Sequence, residues 1–143
     1  MDKTTKELLE TMKTSKNYYE YLEENRDSIK NTGLLKPGRA LGALIVESGR
    51  SKPDVIARSM IEKHYAYQIL SDKKKPSRDK MIMMCFGLGL SLERTNDLFK
   101  ATGYTPLYAK ELRDNIIIFC LEKKLNLIDV NLLLSERGLP TLD

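Results

Sequence analysis

Five side chains that can form hydrogen bonds or stack lie close together near the middle of the chain: Lys63, His64, Tyr65, Tyr67 and Gln68. The apolar residues among and after them, Ala66, Ile69 and Leu70, have the spacing of one helical face. The pattern therefore predicts a helix with the polar side chains on its outer side.

This outer side has the chemistry needed to contact DNA bases. The Lys63 amine can donate to guanine, the Gln68 amide can pair with adenine in the major groove, and a tyrosine can touch a thymine methyl group or a phosphate. His64, the single histidine, suits a contact residue beside Lys63. Tyrosines on a helix are also often half-buried packing residues, so both interpretations stay open for Tyr65 and Tyr67.

A preceding short helix would position this reading helix. Ser51 is an N-cap residue with Asp54 three positions later, and Val55 and Ile56 would face inward. The second helix would begin near Glu62. Lysines followed by a proline in Asp72-Lys73-Lys74-Lys75-Pro76 predict its end, because lysines suit the negative end of a helix and proline cannot continue one.

Positive charge is concentrated around these two helices. Residues 31–80 hold eleven basic and five acidic residues, a net charge of +6, whereas residues 1–30 and 81–143 each carry −1. A local excess of this kind is typical of a nucleic-acid binder, although a lysine triplet alone is commonly just solvated. The residues expected to contact phosphates are Arg50, Ser51, Lys52, Lys73, Lys74, Lys75 and Arg78.

The segment that begins at Ser51 and continues through PSRDKMIMMCFGLGLSLE resembles the Cro and phage-repressor type of helix-turn-helix, also called the XRE type. Its ILSDKKKPS stands where that family usually has IESGKRNPS, and the next helix ends in LGLSL. KHYAYQILSDKKKPSRDK is also similar to RTYGYQIFSGKRNPSRDK, which is typical of a Gram-positive bacterial subgroup. Ile56 and Met60 replace the family's usual Ala and Gly, at the positions that set how closely the two helices cross.

The resemblance, which covers roughly residues 38 to 139, implies an all-α protein with a five-helix repressor-type helix-turn-helix head. We expect a helical arm over residues 1–37, the DNA-binding head over 38–103, and a C-terminal helical extension packed on the head over 104–143. The implied function is that of a sequence-specific double-stranded DNA-binding transcriptional regulator, acting as a homodimer. The alternative is a protein-interaction adaptor that keeps the scaffold but holds another protein, for instance a signalling enzyme or a toxin.

Capping and glycine signals place the remaining helices. In the arm, Thr4 with Glu7 predicts a helix to Lys13, and a second would reach about Ile29. This arm is either a helical layer that completes the core or a surface that binds a partner or a second subunit. The predicted helices of the head and extension are Arg39–Glu47, a helix carrying Met81, Met84, Cys85 and Leu88 as core residues, Ser91–Thr102, Ala109–Lys124, and one from Asn126 to Gly138.

Several other classes of protein are disfavoured. The longest apolar run, Ile116–Leu121, is too short to span a membrane, and the N-terminus lacks the apolar core of a signal peptide, so we expect a cytoplasmic protein. Cys85 and Cys120 are expected to be buried, reduced thiols. No catalytic constellation, metal cluster or cofactor motif stands out, and Gly87-Leu88-Gly89 is interpreted as a helix terminus, so we expect no enzyme, no cofactor and no metal site.

Overall fold

The computed structural model describes residues 4–14, 17 and 33–143. These residues form eight α-helices and no strand, so the described part of the chain is all-α. The helices are α1 (Thr5–Thr14), α2 (Pro37–Ser48), α3 (Lys52–Ser59), α4 (Lys63–Leu70), α5 (Arg78–Leu88), α6 (Leu92–Thr102), α7 (Leu112–Glu122) and α8 (Leu127–Glu136). The chain divides into two compact units, Met1–Leu34 and Leu35–Asp143.

Within the first unit, α1 begins after its predicted cap. The Thr4 hydroxyl oxygen accepts a hydrogen bond from the backbone N–H of Glu7 at 3.2 Å, which satisfies one of the unpaired donors of the first turn. Leu9 and Met12 are exposed in the structure. The predicted second helix, up to about Ile29, lies outside the described residues.

The second unit is built around α5. The predicted core residues of this helix are all buried, together with two further apolar side chains: Met81, Ile82, Met83, Met84, Cys85 and Leu88. Its main neighbour is α3, and α2 also packs against it. A Cβ atom on Gly87 would lie 2.5 Å from the Val55 carbonyl oxygen, so α3 and α5 approach backbone to backbone at this point.

α2 is held against α4 by a cap that comes from a distant part of the chain. It begins at Pro37, two residues before the predicted start, because proline is well tolerated in the first helical turn. The adjacent Lys36 provides no side-chain cap. Instead, the Asp72 carboxylate accepts hydrogen bonds from the backbone N–H groups of Gly38 at 2.8 Å and Arg39 at 3.0 Å. This contact fixes the end of α4 relative to the start of α2.

The last two helices pack against each other, and α7 also packs on α6. α8 starts at its predicted cap, since the Asn126 side chain accepts from the Asp129 N–H at 3.0 Å. α7 is shorter than predicted and begins at Leu112 instead of Ala109. The reason is that Glu111 caps it, while the preceding Tyr108 N–H is bound by the Asp114 carboxylate at 2.9 Å. None of the helices described is long and apolar enough to cross a membrane.

Two crossed ion pairs join α5 to α7. Arg78 and Asp79 open α5, and Arg113 and Asp114 open α7. Arg78 forms a two-pronged contact with Asp114 at 3.0 and 2.7 Å, and Arg113 forms one with Asp79 at 2.8 and 2.9 Å. Burial raises the pKa of Asp114, but Arg78 and the Tyr108 N–H outweigh that effect and hold it below its ordinary value.

Candidate nucleic-acid interface

The connection between α3 and α4 is tight and internally bonded. Ser51 caps α3 as predicted, with its hydroxyl oxygen accepting from the Asp54 N–H at 3.2 Å. At the other end, the buried Ser59 hydroxyl donates to the Ile56 carbonyl at 2.7 Å and accepts from the Ile61 N–H at 3.2 Å. Residues 60–62 alone separate the two helices.

Met60 adopts the left-handed backbone conformation, with φ 58°, that a glycine would adopt more easily. A residue with a side chain costs roughly 1 kcal/mol there. The buried Ile56 and Ile61 on either side anchor the turn to the core. The contacts of these two residues with the core therefore allow Met60 to keep the left-handed conformation where a glycine would be expected.

The outer side of α4 carries two rows of side chains, and the side chains within each row are one helical turn apart. Ala66 and Ile69 are buried behind it. On the outer side, Lys63 with Tyr67 and His64 with Gln68 each have the spacing that brings side chains together along a helix. Lys63, His64 and Tyr67 are exposed, and Gln68 is half-buried.

Tyr65 has a different environment from the other four. Its side chain is half-buried and packs against the core, and the Lys80 amine lies 5.6 Å from the centroid of its ring. Both contacts are those of a packing residue whose edge reaches the surface. The structure therefore brings Lys63, His64, Tyr67 and Gln68 to the outer side of α4, and places Tyr65 at its edge.

The lysine triplet wraps the C-terminal end of α4. The backbone N–H groups of Lys73 and Lys74 donate to the Gln68 carbonyl at 2.9 and 3.2 Å. Lys73, Lys74 and Lys75 are all exposed. Because Asp72 is turned toward α2, the exposed charge of this segment is positive.

Further cations lie at the start of α3. Lys52 is exposed at the first position of the helix, next to the exposed Ser51 cap. The half-buried Arg50 donates to the Gly87 carbonyl across a long 3.4 Å. Positively charged side chains thus lie at the start of α3 and beyond the end of α4.

Arg78 lies elsewhere, in the crossed pair with Asp114. Its guanidinium also donates to the carbonyls of Thr105 at 2.9 Å and Pro106 at 3.1 Å. With its nitrogen atoms engaged in this way, it has little capacity left for a phosphate. The repeated Arg-Asp pair at 78–79 and 113–114 is a sequence signal that could have indicated this contact.

Glu62 is an acidic residue of this surface whose role was not apparent from the sequence. Its carboxylate caps α4 by accepting from the N–H groups of His64 at 2.9 Å and Tyr65 at 2.8 Å. The Tyr65 and His64 N–H groups hold the pKa of Glu62 below its ordinary value. A negatively charged carboxylate therefore lies at the N-terminal end of α4, one residue before Lys63.

Among the described residues, no group of histidine, cysteine and carboxylate side chains could hold a metal ion. Cys85 and Cys120 are buried free thiols, and burial raises the pKa of Cys85 to about 12. No family model, no curated protein and no solved structure matches this chain. The function is accordingly inferred from the residues and geometry of the α3–α4 surface.

Proposed function

We propose that this protein is a sequence-specific double-stranded DNA-binding transcriptional regulator of the XRE type. In this proposal α2–α6 form a five-helix repressor-type head, and α4 enters the major groove. The observation that carries the proposal is the outer side of α4: exposed hydrogen-bonding side chains on a helix whose opposite face is buried in the core, with exposed cations at the start of α3 and after the end of α4. We further propose that the protein acts in the cytoplasm.

In this proposal, the side chains of the two outer rows of α4 contact the bases. Lys63 donates to the O6 and N7 acceptors of guanine, and Gln68 makes the paired contact that an amide forms with adenine. His64 and Tyr67 contact neighbouring bases or a thymine methyl group. Tyr65 contributes to DNA contact only through the exposed edge of its ring.

Phosphate contacts come from both sides of the two helices. Arg50, Ser51 and Lys52 meet one stretch of backbone at the start of α3, where the N-terminal end of the helix also favours an anion. Lys73, Lys74 and Lys75 meet backbone beyond the end of α4. Arg78 is left out of this set because Asp114 and two backbone carbonyls occupy its guanidinium.

The protein is proposed to bind as a homodimer, because a single head reads few base pairs and two heads on adjacent half-sites supply useful specificity. Apolar side chains that are more than half exposed on α7 and α8 support this proposal: Leu112 at 54%, Phe119 at 51%, Ile128 at 59% and Leu132 at 58%. Such a surface is costly to leave in water. α7 and α8 therefore form the proposed dimer surface.

The dependence of binding on salt tests the proposal. Five cations (Arg50, Lys52 and the lysine triplet) on phosphates should give a slope of roughly −4 to −5 in log affinity against log salt for each head. Fluorescence anisotropy with a labelled duplex measures this slope, and selection from a pool of randomised duplexes supplies the preferred site. An affinity that does not change with salt, or a pool that yields no preferred site, would overturn the proposal.

Glu62 favours the second candidate, a protein-interaction adaptor that keeps the helix-turn-helix scaffold. Its carboxylate gives the N-terminal end of α4 a negative charge, which repels phosphate but suits a basic partner surface. The same group could also accept a hydrogen bond from cytosine N4, so it does not exclude DNA. In an adaptor, replacing Lys63 and Gln68 by alanine would remove a protein partner and leave any preference among DNA sequences unchanged.

A further inference from the structure

A second feature of the molecule lies away from the outer side of α4. The end of α5 and the corner between α7 and α8 border an open cleft of about 440 Å³. Phe86, Leu121 and Leu125 supply part of its apolar wall. Small-molecule sites typically have volumes of roughly 300–1,000 Å³ and are mostly apolar with a few polar groups, and this cleft fits both criteria.

Three cations and no carboxylate line the cleft: Arg50, Arg58 and Lys124. Lys124 donates to the Gly89 carbonyl at 3.2 Å, and Arg50 to the Gly87 carbonyl at 3.4 Å. Within the described residues, neither has a carboxylate within ion-pair distance. Arg58 is paired with Asp54 through its Nε atom alone, which leaves its terminal nitrogens available.

Stabilisation of the C-terminal end of α5 explains only part of the positive charge in the cleft. Cations stabilise the carbonyl end of a helix, which carries roughly half a negative charge. The two positive charges of Arg50 and Lys124 together exceed that half charge. Arg58 belongs to α3, and its hydrogen bonds go to Asp54 on the same helix. Lys124 also occupies a left-handed backbone position, with φ 57°, that glycine or asparagine would fill with less strain. The cleft therefore retains positive charge beside an apolar wall.

We propose that this cleft binds a small organic anion, a monocarboxylate with an apolar chain, for which octanoate serves as the probe. The carboxylate would accept from Lys124, Arg50 and the free end of Arg58, and the apolar body would lie against Phe86, Leu121 and Leu125. A purely polar anion would leave the apolar wall wet, and a neutral hydrocarbon would leave the cations unpaired. Arg50 is also one of the residues proposed to contact phosphate. The ligand is therefore tested on the DNA-free protein, where its binding does not require DNA binding.

Isothermal titration calorimetry with octanoate tests the proposal, with octanol and acetate as the matched neutral and short-chain probes. Octanoate should bind at least about tenfold more tightly than either, since it alone satisfies both the cations and the apolar wall. Amide chemical shifts should move for Gly89 and residues 121–127. Equal affinity for octanoate and octanol, or no octanoate binding in the millimolar range, would overturn the proposal.

Neighbouring lysines provide the control. Lys124→Gln should weaken octanoate binding by about five- to tenfold, because it removes one charge at a partly exposed site. Lys123→Gln removes the same charge one position earlier, on a side chain directed at Phe119, and should leave the affinity unchanged. Arg58→Gln, a change on α3, should weaken octanoate binding to a similar extent as Lys124→Gln. Equal affinities for the wild type, Lys124→Gln and Arg58→Gln would contradict the assignment of the cleft, and circular dichroism verifies that each variant is folded.

Discussion

Gly87 sits where α3 and α5 come closest, and a single added carbon is enough to disturb that contact. Its Cβ atom would meet a backbone oxygen, which cannot turn aside as a flexible side chain can. Gly42, inside α2, is the opposite case, because a Cβ atom added there has no neighbour within 4 Å. Both glycines lie within α-helices, but only Gly87 is packed against a neighbouring backbone.

Replacing each glycine by alanine should therefore change stability in opposite directions. Gly87→Ala should lower the free energy of unfolding by about 2–3 kcal/mol, because α3 must shift away from α5. Gly42→Ala should raise it by about 0.5–1 kcal/mol, since alanine is the better helix former and meets open space. Urea denaturation followed by circular dichroism measures both changes. A stabilised Gly87→Ala variant would show that α3 and α5 do not approach each other so closely.

The residues of the proposed DNA surface were only partly predictable. Lys63, His64 and Tyr67 could be placed outside because helical periodicity fixes the buried face from Ala66 and Ile69. The packing of Tyr65, in contrast, depends on Lys80, which lies on another helix. Glu62 and Asp72 are caps, and sequence did not reveal that Asp72 would cap a helix more than thirty residues before it.

At the scale of the helices, two ion pairs between α5 and α7 hold these helices together. Asp114 is nearly buried beneath Arg78, with side-chain exposures of 7% and 29%. Breaking one partner of such a pair leaves the other charge unpaired, so Asp114→Asn should cost about 3 kcal/mol of stability at neutral pH. Urea denaturation measures the change, with Asp97→Asn, a substitution on α6 outside the crossed pairs, as the control that should stay close to the wild type.

The same pair predicts a dependence on pH. Because the pKa of Asp114 is lowered in the folded protein, its contribution is present above the unfolded value of about 3.9 and is lost as the pH falls further through the folded value. The difference in stability between the wild type and Asp114→Asn should be constant near neutral pH and should shrink below about pH 4. A difference that grows in acid would mean that Asp114 is not held in its charged form by Arg78.

Elements with local start signals were the predictable part of the fold. The caps of α3, α6 and α8 are the serine or asparagine residues identified in the sequence, because an N-cap uses residues only three positions apart. The sequence predicts starts for α2 and α7 that differ from the observed starts by two and three residues. At α2 the cap is Asp72, which is distant in sequence, and at α7 it is Glu111, while Asp114 accepts from the Tyr108 N–H. The pairing of Arg78 with Asp114 could not be predicted from the local pattern either, because the two residues are distant in sequence.

At the scale of the whole molecule, the proposed homodimer forms through the exposed apolar side chains of α7 and α8. The wild type should have a mass in solution near twice 16.4 kDa. Phe119→Glu should shift it toward the monomer, because a charge would be buried in the dimer surface. Val46→Glu provides the control, since Val46 is 80% exposed on α2 and lies outside that surface. Light scattering measures the masses, and a Phe119→Glu variant that remains dimeric would place the interface elsewhere, with the N-terminal arm as the next candidate.

The most direct test of the central claim compares reading of bases with binding of phosphates. Anisotropy titrations would use the selected duplex and a scrambled duplex of the same length. Lys63→Ala and Gln68→Ala should each reduce the preference for the selected duplex by about 1 to 3 kcal/mol while leaving binding to the scrambled duplex nearly unchanged. Lys73→Ala with Lys74→Ala should weaken binding to both duplexes alike and reduce the salt slope by roughly one for each phosphate that is no longer neutralised. If Lys63→Ala and Gln68→Ala keep the full preference, α4 does not read DNA bases, and the central claim is contradicted.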